Sequence, residues 1–174
     1  VGLTAWQALV EMAKVQKGQK VFIQAGSGGV GTFAIQLAKH LGATVATTTS
    51  AGNVAMVKSL GADVVVDYRR DDFEQHLHDY DVVLNSQDGK TLKKSLGVLK
   101  PGGHLVSISG PPDPQFGQHI KAPWLVRQVM RALSFSVRRQ ARRRGVRYEF
   151  LFMKASGSQL KQIAALIESG TIRP

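Results

Sequence analysis

The segment from Lys20 to Ala43, KVFIQAGSGGVGTFAIQLAKHLGA, limits the chain's fold more than any other. Val21, Phe22 and Ile23 form a short apolar run of strand-favouring side chains, and Phe33, Leu37 and Leu41 recur at helical spacing, the stripe of a helix packed on a sheet. Between them Gly26, Gly28 and Gly31 spell G-x-G-x-x-G in a strand-to-helix turn. The first glycine permits a tight bend, the second lets a ligand touch the backbone, and the third lets helix and strand approach. N–H groups at the helix start lack intrahelical partners and sit at the positive end of the helix dipole, so the turn is a seat for an anion, most simply a pyrophosphate. A phosphate-loop nucleoside triphosphatase is excluded, because Thr32 stands where lysine would follow Gly31.

The rest of the chain alternates strand and helix. A helix is expected from Thr4 to Gln16, opened by a capping box over Thr4-Ala5-Trp6-Gln7 and closed before Gly18. Further strands are expected at Thr44 to Thr49, Asp63 to Asp67, Asp81 to Asn85, His104 to Ser109 and Tyr148 to Met153. Helices at Asn53 to Leu60 and Lys90 to Leu99 separate some of them, and KPGG, Lys100 to Gly103, reads as the turn that feeds the fifth strand. Six strands in 174 residues fit one α/β domain, a Rossmann-type doubly wound parallel six-stranded sheet of order 3-2-1-4-5-6 with helices on both faces.

The second strand ends in ATVATTTSAGN, and no Asp or Glu occurs between Glu11 and Asp63. A site preferring NAD places a carboxylate about 20 residues beyond the glycines, where it would repel a 2′-phosphate. Here Thr49, Ser50 and Asn53 stand instead, so NADP(H) is the expected cofactor. Tyr68, Arg69 and Arg70 follow the third strand, whose end lies beside the second, within reach of that phosphate. The same missing acid argues against an S-adenosylmethionine-dependent methyltransferase.

Charge supplies the rival reading. Lys and Arg number 23 against 12 Asp and Glu, and six arginines fall in the ten residues from Arg138 to Arg147. A basic nucleic-acid-binding domain, or a cofactor-sensing domain without catalysis, is the alternative. Against a nucleic-acid partner, the arginines fit the solvent face of a helical insertion whose other face carries Trp124, Leu125, Val129 and Leu133. No stretch reaches the roughly 18 apolar residues of a membrane span. No membrane partner is expected, and the cytoplasm is the default setting. The chain has no cysteine, which removes disulfides and thiolate metal sites. His76 and His78, two apart, would splay on a helix, so no metal site is expected there.

VGLTAWQAL leading into AGSGGVGTFAIQLAKHLGA, then VKSLGADVVVDYR, DVVLNSQDG and VLKPGGHLVSISG, resemble in order and spacing the nucleotide-binding domain of the medium-chain dehydrogenases/reductases, in their zinc-free quinone oxidoreductase (zeta-crystallin-like) branch. The resemblance implies that residues 1–174 are a cofactor domain cut from a longer enzyme whose GroES-like substrate domain lies elsewhere. It implies that the turn from Gly26 through Ser27 binds cofactor, with Gly28, Gly29 and Val30 over the pyrophosphate and Gly31 behind them. Ser50, Asn53 and Tyr68 would surround the 2′-phosphate, and Asn85 and Ser86 would border a ribose. Thr4, Ser109, Gly110, Phe152 and Met153 would lie about the nicotinamide.

The implied chemistry is hydride transfer from NADPH to a small-molecule acceptor, a quinone or an enone, without zinc. No catalytic side chain is assigned. The Tyr-x-x-x-Lys pair of short-chain reductases is missing, since Asp72, Leu84 and Phe152 stand four residues after Tyr68, Tyr80 and Tyr148. Homodimerisation is expected through the edge strand 148–153, which is apolar and free of proline.

Overall fold

The computed structural model describes residues 1–87 and 89–173, and the side chains of all of these except Gln115 and His119. Its six strands are β1 (Lys20–Ile23), β2 (Thr44–Thr49), β3 (Val64–Asp67), β4 (Tyr80–Asn85), β5 (Leu99–Ser107) and β6 (Arg147–Phe150), in the order β3-β2-β1-β4-β5-β6. Every neighbouring pair is parallel. The order reverses between β1 and β4, which opens a crevice at their carboxyl ends, where open α/β sheets bind ligands.

Period-two alternation divides the core. Val21 and Ile23 of β1 face one side, with Phe33, Leu37 and Ala38 of helix α2 (Gly29–His40) and Ile163 of the C-terminal helix Gly157–Glu168. Phe22 faces the other side, where it packs on Phe73 and Tyr80 at ring-centroid distances of 5.1 and 6.2 Å. Solvent-accessible ion pairs and backbone bonds tie strand ends together: Asp81 accepts from the Lys20 backbone N–H and pairs with Lys100, and Asp63 accepts from Val45 N–H at 2.7 Å and pairs with Lys39 at 2.9 Å.

Several boundaries depart from expectation. Helix α1 (Gly2–Trp6) is already turning at Thr4, with Ala5 N–H donating to Val1 O, so Thr4 is not a cap; the chain then widens into a π-helical stretch, Gln7–Met12. The helix beginning near Lys90 ends at Ser95, and KPGG lies inside β5. There the register jumps from Tyr80↔Leu99 to Val82↔His104, so the four turn residues bulge out of the ladder. Strand β6 stops at Phe150, three residues before Met153.

Strand β6 is an edge, as expected, but it is not bare. Asp113 caps the short helix Pro114–His119 through Phe116 N–H at 2.9 Å and accepts the Phe150 N–H with its other oxygen at 2.8 Å. Phe116 also packs edge-on against Phe150 at 5.4 Å. Association of two copies along the length of β6 requires those contacts to be given up.

The expected orientation of the arginine-rich insertion is overturned. It forms a 20-residue helix, Trp124–Arg143, but its inward face is made of Ser134, Val137 and Ala141, and Trp124, Leu125, Val129 and Leu133 point to solvent.

Candidate functional site: the crevice above the glycine turn

Each glycine of the turn is required for a different reason. A Cβ on Gly26 would lie 2.2 Å from Thr47 Oγ1, and one on Gly31 would lie 2.3 Å from Ala25 O and 2.7 Å from Gly26 Cα. Both positions are closed by the protein itself. A Cβ on Gly28 would meet only Ala25 O, at 3.3 Å, and otherwise projects into open space. Gly28 is the N-cap of α2 and offers no side-chain cap, so the first N–H groups of a 12-residue helix face that space. Ala25 holds the bend with φ +52°, and Gly28 N–H closes it onto Ala25 O at 2.9 Å.

A cleft of about 620 Å³ begins at this turn. Ala25, Ser27, Gly28, Thr48 and Thr49 form one wall, Tyr68 to Asp72 a second, and Lys90, Thr91 and Lys94 of helix α4 (Gly89–Ser95) a third. Among the described residues two acids and four cations line it. Lys94 pairs with Asp72, and that bond, against the pull of burial, holds the Asp72 carboxyl below its ordinary value. Arg69 lies 5.8 Å from the centre of the Tyr68 ring, and Arg70 and Lys90 make no ion pair among the described residues. The cleft therefore keeps uncompensated positive charge.

Buried polar atoms without partners mark the same crevice. Among the described residues Thr49 Oγ1, Gln24 Oε1 and Asn85 Oδ1 have none, and they sit at or just past the carboxyl ends of the adjacent strands β2, β1 and β4. Such atoms are rare in a folded interior unless something polar comes to meet them. With the open cradle at Gly28, these are the features a dinucleotide would use, and the residues present fit one.

The expected site residues do not all converge. Ser27, Gly28, Thr49 and Tyr68 share the cleft, with Gly29 and Val30 in the first turn of α2 beside it. Ser50 and Asn53 sit just outside its wall, joined by a 3.3 Å bond from Asn53 Nδ2 to Ser50 Oγ. Asn85 is fully buried and works as a brace. Its Nδ2 reaches Ser107 Oγ at 2.9 Å, Ser109 O at 3.1 Å and Gln87 O at 3.2 Å, which fixes the loops after β4 and β5. Ser109 Oγ donates to Gln87 O, and Gly110 takes φ +143°, a conformation closed to other residues. Ser86 Oγ donates to Gln24 O at 3.4 Å.

Thr4 lies in α1, apart from the cleft, and Phe152 lines a separate hollow of about 510 Å³ with Gln7, Asp113 and Phe116. Phe152 and Met153 are exposed. Gln7 positions them. Its amide donates to Lys154 O at 2.7 Å and accepts from Lys154 N–H at 3.0 Å, so one buried side chain holds the segment after β6 by both backbone groups. Sequence reasoning overlooked Gln7, Lys90 and Lys94. Lys90 and Lys94 carry a readable signal, four apart on a helix directly after a strand that ends at the crevice.

Residues 60–174 match the family described as zinc-binding dehydrogenase. The chain is 36% identical over 186 aligned residues to the zebrafish (Danio rerio) protein NAD(P)H oxidoreductase RTN4IP1, mitochondrial, covering all of this chain and 47% of that one. It is 45% identical over 132 residues to the trans-enoyl reductase pgmF of Aspergillus terreus, over 71% of this chain and 37% of the relative. Among solved structures, the quinone oxidoreductase from Coxiella burnetii superposes with a TM-score of 0.80 at 32% identity, over 99% of this chain and 48% of that one. The chain thus spans about half the length of these proteins or less. Despite the family's description, the chain has no cysteine, and the described residues include no group of three His, Asp or Glu able to hold a metal. With the sheet order, the glycine turn and these matches agreeing, the chain belongs to the medium-chain dehydrogenase/reductase superfamily, as its nucleotide-binding domain.

Proposed function

We propose that this domain binds NADPH in preference to NADH and serves a zinc-independent reductase of quinones or enones. The observation that carries the cofactor preference is the cationic cleft beside Gly28, walled by Arg69, Arg70, Lys90 and Lys94, where the end of β2 supplies no carboxylate. The acceptor class rests on the relatives, which are named as an NAD(P)H oxidoreductase, an enoyl reductase and a quinone oxidoreductase. Residues 1–174 act as the cofactor half, and the acceptor pocket is completed by a substrate domain elsewhere in a longer chain. The zebrafish relative is mitochondrial by name, so a cytoplasmic setting has no support beyond the sequence.

The chemistry supplied by a bound NADPH is hydride delivery to an electron-poor carbon conjugated with a carbonyl, with solvent as the proton source. The chain's own residues bind and orient. The N–H groups after Gly28 take the pyrophosphate, and Tyr68, Arg69 and Arg70, with Ser50 and Asn53 close by, take the 2′-phosphate. Asn85 and Gln7 hold the loops that carry Ser109, Gly110, Phe152 and Met153 toward the nicotinamide. Rate then comes chiefly from proximity and water exclusion.

Calorimetric titration of the chain with each dinucleotide tests the reading. NADPH should bind at least tenfold more tightly, a difference of about 1.4 kcal/mol. Ser50→Asp should bring the two affinities together by setting a carboxylate beside the phosphate. Equal affinities in the parent would refute the preference, and an unchanged ratio in the variant would place the phosphate elsewhere.

A further inference from the structure

The helix Trp124–Arg143, α6 below, is the most unusual surface of the molecule. Its inward contacts are made by Ser134, Val137 and Ala141, while Trp124, Leu125, Val129, Leu133 and Phe135 are 65, 67, 52, 61 and 60% exposed. Single exposed apolar residues need no explanation, but Leu125, Val129 and Leu133, four apart, form a ridge along the helix, with Trp124 and Phe135 turned toward its arginine side, an apolar exposure that soluble surfaces rarely leave uncovered. Along one flank of the ridge run Arg127, Arg131, Arg138 and Arg142, and Arg139 and Arg143 continue the outer face beyond its apolar part.

These arginines have little to answer them. No acidic residue occurs between Asp113 and Glu149, and none of the α6 arginines makes an ion pair among the described residues. Three of them, Arg127, Arg131 and Arg138, line a hollow of about 440 Å³ that Trp124 borders. Arg127 Nε is buried there without a hydrogen-bond acceptor among the described residues. Burial, then the charges of Arg142 and Arg131, lower the pKa of the Arg138 guanidinium, against a smaller opposing pull from Asp113. The hollow is short of an anion.

We propose that α6 is a membrane-docking helix, which lies along a bilayer containing anionic phospholipid with its apolar ridge in the interfacial layer and lipid phosphates on its arginine flank. A helix whose outward half carries a Leu125–Val129–Leu133 stripe beside a flank that mixes Trp124 and Phe135 with arginines has the composition of helices that lie in the interface plane. The charge arrangement selects this occupant over others. Two copies of α6 meeting ridge to ridge would set Arg139 and Arg143 against each other if parallel, or against the partner's apolar side chains if antiparallel, with no carboxylate on the helix to answer them. Nucleic acid would satisfy the arginines and leave the ridge in water. A lipid surface answers both.

Flotation with vesicles tests the proposal, using phosphatidylcholine alone and phosphatidylcholine doped with phosphatidylserine. The parent chain should float with the anionic vesicles, release at high salt, and ignore the neutral ones. Trp124 emission should shift to the blue on binding, and Trp124→Phe should abolish the shift, since Trp6 is already half-buried. Leu125→Glu with Leu133→Glu, at positions outside the core, should leave the melting temperature unchanged and lower partitioning at least about tenfold. A parent that stays with the soluble fraction overturns the proposal, as does a double variant that floats like the parent. It is equally overturned if the parent sediments as a dimer that the double variant disrupts, if RNA binds both forms alike in place of vesicles, or if a longer form of the chain masks the ridge and fails to float.

Discussion

The glycine turn makes a prediction in which folding and binding separate. Gly31→Ala puts a methyl carbon 2.3 Å from Ala25 O and within 2.9 Å of two Gly26 backbone atoms, none of which is free to swing aside. The added helix propensity of alanine, worth about 1 kcal/mol, cannot offset such a contact. A cost near the top of the usual overpacking range, about 3 kcal/mol, translates to a melting temperature lower by roughly 6–12 °C in a domain of this size. Gly28→Ala is the opposite case. Gly28 has φ −81° and ψ 164°, which alanine adopts freely, and its one neighbour within 4 Å lies at 3.3 Å. A gain of about 0.4–1 kcal/mol from a stiffer unfolded chain and a mild contact should nearly cancel, for a change in melting temperature under about 4 °C. The methyl group instead occupies the space above the α2 N-terminus, and loss of close approach should weaken NADPH by tenfold to a hundredfold, about 1.4–2.8 kcal/mol. Scanning calorimetry of both variants, with titration of the folded ones, gives the answer. Normal NADPH binding by Gly28→Ala would mean that the glycines serve the turn alone, and a Gly31→Ala chain that melts like the parent would refute the packing argument.

Three further outcomes follow from contacts already described. Gln7→Ala strips Lys154 of both backbone partners, so it should cost about 1–3 kcal/mol and speed hydrogen exchange at the Lys154 amide; exchange at the parent rate would remove Gln7 as a brace. Burial, then the charge of Asp113, raises the Tyr148 phenol well above its ordinary value, so the stability it contributes is complete below about pH 10 and is lost as pH rises further. Tyr148→Phe, which also loses the 2.7 Å bond to Pro111 O, should therefore flatten the alkaline limb of a melting profile, and an unchanged limb would assign it elsewhere. For Asp63 and Asp81, burial pulls the carboxyls upward, but their backbone N–H donors and lysine partners outweigh it and leave both below the ordinary value. Their contribution is present above about pH 4 and should fall away as pH drops through the folded values; Asp81→Asn should lose stability at neutral pH and show a shallower acid limb.

What the sequence revealed depended on whether the deciding contact was local. Gly26 and Gly31 are required by atoms a few residues away or on the next strand, and strand β1, the turn and α2 were accordingly readable from one segment. Strands β2 and β4 were readable for a similar reason, since β2 is a run of β-branched Thr and Val and β4 a short apolar run, each bounded by turn residues. Thr4-Ala5-Trp6-Gln7 has the letters of a capping box, yet the helix is already under way at Thr4, because α1 is fixed by packing against α2 and the C-terminal helix. No pattern announced that Gln7 would leave the helix face to hold Lys154, 147 residues away. The same limit explains α6. Its helical character was readable, but the expected split of arginines from Trp124, Leu125, Val129 and Leu133 was not found, because periodicity alone does not say which residues turn inward. The sheet floor accepted Ser134, Val137 and Ala141 and left the large apolar side chains outside. An apolar stripe read as core is therefore a statement about amphipathicity alone. What such a stripe meets is set by the rest of the fold, and here it is left exposed beside arginines that make no ion pair among the described residues.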